Sequence, residues 1–154
     1  MACANSFNSL HRPDMLQSIR DHLPELYPYC YSSYCKPSFL YFGQYTILSQ
    51  EGPQQGDPLG PLLFCDTIQP LLTSLESELT LGYLDDVTLG GRQDVVISDI
   101  QRITIEGGDL GLRLNPSKCE VITHPGLTVS DPMLQSFKQV EVQDATLLGA
   151  PLFP

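Results

Sequence analysis

The sequence predicts an α+β fold in which helices pack on an antiparallel sheet, and three observations carry that prediction. Strand-type segments come in adjacent pairs around tight turns, at 38–48 and again at 79–89. Between the pairs lie runs of helix length with apolar residues at helical spacing. The strands are linked by hairpins rather than by repeated crossovers, which removes the parallel α/β classes.

Taken in order, the chain opens its periodic structure with a helix from about Pro13 to Leu23, where Met15, Ile19 and Leu23 recur every four residues. A second helix starts near Pro24, a residue suited to a helix's first turn. Ser38-Phe39-Leu40-Tyr41-Phe42 and Tyr45-Thr46-Ile47-Leu48 are aromatic and β-branched, and Gly43-Gln44 between them makes a hairpin turn. Glu51 to Pro58 is all turn chemistry, so it is a loop feeding the apolar run from Leu59 to Leu75, which reads as a buried helix. Leu79 to Tyr83 and Val87 to Leu89 form a second hairpin, with Leu84-Asp85-Asp86 at its bend. A helix from about Asp94 to Leu110 stops at Gly111. Leu112-Arg113-Leu114 and Glu120-Val121-Ile122 read as short strands around Asn115-Pro116-Ser117-Lys118. Pro125, Pro132, Pro151 and Pro154 punctuate the tail, for which extended structure with limited packing is expected.

A length of 154 residues suits one domain with a single core, and leaves little room for a large multidomain enzyme. Hydrophobic residues at 42% and charged residues at 17% describe an ordinary globular chain, and no apolar run approaches the roughly 20 residues that span a bilayer. No membrane partner is expected. The start, Met1-Ala2-Cys3-Ala4-Asn5, shows no targeting pattern, so an intracellular location is expected, nuclear or cytoplasmic. Five scattered cysteines suit reduced thiols better than a disulfide frame or a zinc site. The formal net charge of −10 repels polyanions and, by itself, argues against nucleic-acid binding.

The most suggestive chemistry sits at Tyr83-Leu84-Asp85-Asp86. Adjacent carboxylates on a bend offer the hard oxygen ligands that Mg²⁺ takes. An Asp-Asp pair in a turn is more commonly just solvated, so the pair gains meaning only from what accompanies it. With its aromatic residue and variable residue ahead of two aspartates between strands, it resembles the hallmark of the reverse transcriptase family. Gly52-Pro53-Gln54-Gln55-Gly56-Asp57-Pro58-Leu59-Gly60-Pro61-Leu62-Leu63-Phe64 resembles the same family's glycine and glutamine segment entering a palm helix. Asn5-Ser6-Phe7-Asn8-Ser9-Leu10-His11-Arg12 is similar to the first palm motif of the retrotransposon group without long terminal repeats (non-LTR). Gly111 to Glu120 resembles a later palm motif, and Leu147-Leu148-Gly149 the start of the primer-holding hairpin.

The resemblance implies a polymerase palm-like α+β fold, an antiparallel sheet packed on helices, forming part of a reverse transcriptase domain. It implies a palm portion over 1–124 and a partial primer-grip segment with limited packing over 125–154. It further implies metal ligation by Asp85 and Asp86 and a Mg²⁺ cofactor. Gln55 and Gly56 are implied to meet the incoming nucleotide or template, with Tyr83 alongside. Phe7 is implied to screen the sugar 2′ position, where a ring leaves no space for a hydroxyl; a plain core phenylalanine is the alternative. Lys118 is implied to lie near the pyrophosphate and protonate it, against the alternative of a solvated loop charge.

One position departs from the pattern. The first-motif aspartate falls at position 2, where this chain has Ala2. Two-metal phosphoryl transfer needs carboxylates bridging both ions, so losing one cripples the rate. The basic fingers and the thumb of a complete enzyme are not recognised in the sequence, which also accounts for the acidic balance. The expectation is therefore a truncated reverse transcriptase, inactive alone, with weak or no binding of the RNA template and DNA primer that the parent enzyme holds. The alternative is a non-catalytic folded module derived from a retroelement, acting in protein interaction or metal binding. Coding DNA upstream of Met1 that carries the aspartate and finger motifs favours the first; a native, regulated start favours the second.

Overall fold

The computed structural model describes residues 6–152. Ala2 and Asn5, both invoked above, lie outside the described residues, as do Cys3 and Pro154. The elements run α1 (Ser6–Ser9), α2 (Arg12–His22), α3 (Tyr27–Tyr34), β1 (Ser38–Phe42), β2 (Tyr45–Ser49), α4 (Gly60–Thr73), β3 (Leu79–Tyr83), β4 (Asp86–Gly90) and α5 (Gln93–Asp109). Beyond α5 come β5 (Glu120–Ile122), α6 (Pro132–Gln135), β6 (Lys138–Val140), β7 (Thr146–Leu147) and β8 (Ala150–Pro151), with short 3-10 turns at Pro116–Lys118 and Val142–Asp144.

The architecture is α+β, as the sequence predicts. The strands nevertheless form four separate pairs instead of one continuous sheet. Three pairs are antiparallel: β1 with β2, β3 with β4, and β7 with β8. The fourth, β5 with β6, is parallel and joins Glu120 to Lys138 and Ile122 to Val140. Leu112 to Leu114 is not a strand beside β5, contrary to expectation. Leu112 is buried in the first core instead, and Leu114 packs against the second. Part of the tail also packs more closely than its prolines suggest, with Leu134 and Phe137 buried. Leu127 and Leu148 of the same tail stay exposed.

Two apolar clusters hold the molecule. The first gathers Met15, Leu16 and Ile19 of α2, Cys30 and Tyr34 of α3, and Leu63, Phe64 and Ile68 of α4, closed by Leu10 and Leu112. Removing each large side chain from water contributes about 1.5–3 kcal/mol. The second joins Ile100 of α5 to Cys119, Leu134 and Phe137, with Leu89 of β4 packed against it. Helix α4 thus seats the N-terminal third of the chain. The β3–β4 hairpin reaches both clusters: Gly82 lies against Leu72 of α4, and Leu89 faces α5.

Candidate functional site

The candidate residues collect around the first half of α4. Phe7 is half-buried, and its ring lies 5.8 Å from that of Phe64, centroid to centroid. Gly60 permits the approach, since a Cβ there would stand 2.8 Å from Phe7 Cζ. The residue that follows α1 is clasped to the glycine and glutamine loop as well: Gly52 N donates to Leu10 O at 2.7 Å. One residue beyond Phe64, burial pushes the Cys65 thiol pKa up, and the nearby Leu84 backbone partly counters this. Phe7, the loop and the bend that carries Asp85 therefore all meet α4 within two turns of its N-terminus.

At that bend the turn residues are Leu84 and Asp85, and Tyr83 pairs with Asp86 across the hairpin. Leu84 has φ +52°, a left-handed conformation that costs a branched side chain about 1–2 kcal/mol. Backbone strain of this kind collects at functional sites. Asp85, Asp86 and Tyr83 are exposed, the tyrosine at 61%.

Gln55 and Gly56 are also exposed, at the tip of the 52–58 loop. Gln55 lines a cleft of about 730 Å³, together with Asn8, Glu51, Pro53 and Gln54 on one side and Leu40 and Leu48 of the β1–β2 hairpin on the other. Amide groups dominate its polar lining, and among the described residues Glu51 is its one charged lining residue. Asp85 and Asp86 are not among the lining residues. The structure thus brings Phe7, Gln55 and the aspartate hairpin to one helix without putting the aspartates in the amide-lined cleft.

Lys118 lies apart, exposed at the end of the Pro116–Lys118 turn. Asn115 caps this turn by accepting from Ser117 N and Ser117 Oγ at 3.2 and 2.6 Å. Cys119, the next residue, is buried in the second cluster, against which Leu89 of β4 also packs. No hydrogen bond or ion pair joins Lys118 to Asp85 or Asp86 among the described residues.

A buried polar group that the sequence reading did not single out as functional lies behind the loop. Arg12 is 4% exposed. Its Nε donates to Gly52 O at 3.0 Å, Nη1 to Ser49 O at 2.9 Å and Nη2 to Ser49 Oγ at 2.9 Å. The guanidinium lies 5.2 Å from the centroid of the Tyr34 ring, and burial lowers its pKa. Tyr34 OH donates to Asp57 Oδ2 and accepts from Gln54 N. Burial, followed by the bond to Asp57, pushes the tyrosine pKa up to about 12. A sequence signal for Arg12 existed: with Met15, Leu16 and Ile19 it continues the apolar stripe of α2, where a cation needs buried partners.

The family model for "Reverse transcriptase (RNA-dependent DNA polymerase)" matches residues 4–152. The chain belongs to the reverse transcriptase family. No curated protein matches the sequence. As members of that family are RNA-directed DNA polymerases acting on nucleic acids with Mg²⁺, the donor set bears testing. Mg²⁺ is commonly held by one or two carboxylates, with waters and substrate phosphates completing its shell. Asp85 and Asp86 supply that minimum. Among the described residues no group of three histidine, cysteine, aspartate or glutamate side chains converges to hold an ion. No helix of the described residues is long and apolar enough to cross a membrane.

Proposed function

We propose that this chain is the palm portion of a non-LTR retrotransposon reverse transcriptase, retaining the nucleotide-facing elements of the fold but unable to polymerise by itself. The convergence of Phe7, the Gln55–Gly56 loop and the aspartate hairpin on the first half of α4 carries the reading. Each element has a chemical task in the parent reaction. Gly56, at φ +91° and with open space where a Cβ would stand, lets backbone approach a ligand closely. Gln55 offers both a donor and an acceptor to a base or sugar. Phe7, packed between Phe64 and Gly60, is the steric screen under the ribose. Asp85 and Asp86 would hold Mg²⁺ through carboxylate oxygens and a nucleotide's phosphates. When bound, the ion neutralises developing charge and activates the attacking oxygen. Lys118 is the proton donor to the departing pyrophosphate.

Inactivity follows from Ala2. With alanine at the first-motif position, the bridging carboxylate is replaced by a methyl group, and the two-ion arrangement lacks a ligand. The net charge of −10 adds to this by repelling template and primer, so the chain alone binds nucleic acid weakly. The test is primer extension on an RNA template with Mg²⁺ and deoxynucleotides, using as control a chain with both Asp85→Ala and Asp86→Ala. Equal, background-level incorporation is expected. Incorporation by the unaltered chain above the double variant overturns the inactive reading.

A further inference from the structure

We propose that Arg12, Tyr34 and Asp57 are positioning residues, a three-part lock that fixes the 52–58 loop so that Gln55 faces a nucleotide in the amide-lined cleft, with Gly56 next to it at the loop tip. The inference rests on the nucleotide-site reading of that loop and gives a role to Arg12 and Asp57, which the motifs contain without one, and to Tyr34, which lies outside them.

The geometry separates the loop into a held side and an offered side. On the held side, the backbone carbonyl of Gly52 accepts from Arg12, and the backbone N–H of Gln54 donates to Tyr34 OH at 3.1 Å. Asp57 receives the Tyr34 hydroxyl on one carboxylate oxygen and the Leu59 N–H on the other, the latter at 2.9 Å. The loop is therefore tied at its start, its middle and its exit to α4. On the offered side, the Gln55 side-chain amide has no protein partner among the described residues, and Gly56 has open space at its Cβ position.

The same lock reaches the opposite wall of the cleft. Ser49, the last residue of β2, accepts twice from Arg12, and Ser38, its cross-strand partner on β1, accepts from Gln54 Nε2 at 2.7 Å. One guanidinium thus sets both the loop and the root of the hairpin whose Leu40 and Leu48 face it. A planar fork with donors on three nitrogens suits this task, and a lysine ammonium does not span the same acceptors. The neutral character of those acceptors matters too. No carboxylate need be displaced when the loop meets a ligand, and the cleft keeps its amide lining.

The experiment follows backbone amides of the full chain by ¹⁵N NMR, with two readouts. Amide hydrogen exchange of residues 52–57 reports the lock. Shift changes at Gln55 and Gly56 on adding Mg²⁺ with deoxythymidine triphosphate report the nucleotide. Tyr34→Phe and Arg12→Lys are expected to speed loop exchange at least tenfold while amides of α4 keep their protection, and to weaken the nucleotide response at least fivefold. Asp57→Asn, whose carboxamide keeps one of the two oxygen acceptors, is expected to disturb both readouts less than Asp57→Ala, which keeps neither. Unchanged loop exchange in Tyr34→Phe and Arg12→Lys overturns the lock. Faster loop exchange with an undiminished nucleotide response overturns the positioning role and leaves an architectural one. An unaltered chain whose Gln55 and Gly56 amides ignore the nucleotide overturns the site reading instead, a failure distinct from the other two.

Discussion

Replacing Gly52 by alanine tests the joint between the first motif and the glutamine loop, and Gly56 supplies a built-in comparison. Both residues have positive φ, +61° and +91°, so alanine at either costs about 1–2 kcal/mol in backbone conformation. The reduced freedom of the unfolded chain offsets this by about 0.4–1 kcal/mol at both sites and cancels in the comparison. Their surroundings differ. A Cβ at Gly52 would stand 2.3 Å from Phe7 O and 2.6 Å from Asn8 Cα, whereas at Gly56 nothing lies within 4 Å. Backbone cannot swing aside as a side chain does, so α1 or the loop must shift, at about 1–3 kcal/mol. That shift stretches the Gly52 N to Leu10 O bond and the Arg12 bond to Gly52 O, each contributing about 0.5–1.5 kcal/mol or more. Gly52→Ala is therefore expected to destabilise the fold by at least about 2 kcal/mol more than Gly56→Ala. Urea unfolding followed by circular dichroism measures the difference directly. Two variants that agree within about 0.5 kcal/mol would refute the close joint between α1 and the loop.

Phe64→Ala removes the ring on which Phe7 rests and is expected to cost about 3–5 kcal/mol in the same unfolding assay; a loss below about 1 kcal/mol means that the first core does not pass through this contact. Asp99 is buried, which by itself raises a carboxyl pKa, but bonds from Ser77 Oγ, Glu76 N and Ser77 N outweigh that and hold it below its ordinary value. A depressed carboxyl contributes stability in full above the unfolded pKa of about 3.9 and loses it as pH falls through the folded value. The stability gap between the unaltered chain and Asp99→Asn should accordingly be about 1–3 kcal/mol at pH 7 and shrink below pH of about 4, and a pH-independent gap is the contrary result. Ala2→Asp is expected to tighten Mg²⁺ binding in calorimetric titration, and equal affinities for both forms count against a first-motif residue near Asp85.

Much of the fold was legible because its determinants are local. The hairpin at β1 and β2 follows from strands rich in aromatic and β-branched residues around Gly43-Gln44, and α2, α4 and α5 lie within about two residues of the boundaries that caps and periodicity suggest. The pairing of β5 was not legible, since its partner β6, Lys138-Gln139-Val140, has a single apolar residue and lies past a proline-bearing stretch. The ion pair of Lys138 with Glu120 at 2.7 Å and the burial of Leu134 and Phe137 bring those segments together. Leu112 was misread as strand because a buried residue in an irregular segment has the same apolar signature as a strand residue.

Sequence alone determined the family resemblance, the order of its motifs and the departure at Ala2, because motif identity is a matter of residue types at fixed offsets. Tertiary structure decided what those motifs touch. It set Phe7 on Phe64 and the Leu84 bend on Cys65, and it buried Arg12 behind the loop with Ser49, Gly52 and Tyr34. Those partners lie 19 to 57 residues apart in the chain, and no local pattern encodes a contact at such separations. Only the joint packing of α2, α3 and α4 brings them within hydrogen-bond reach, because a buried guanidinium is tolerated only where the folded chain has already gathered its acceptors.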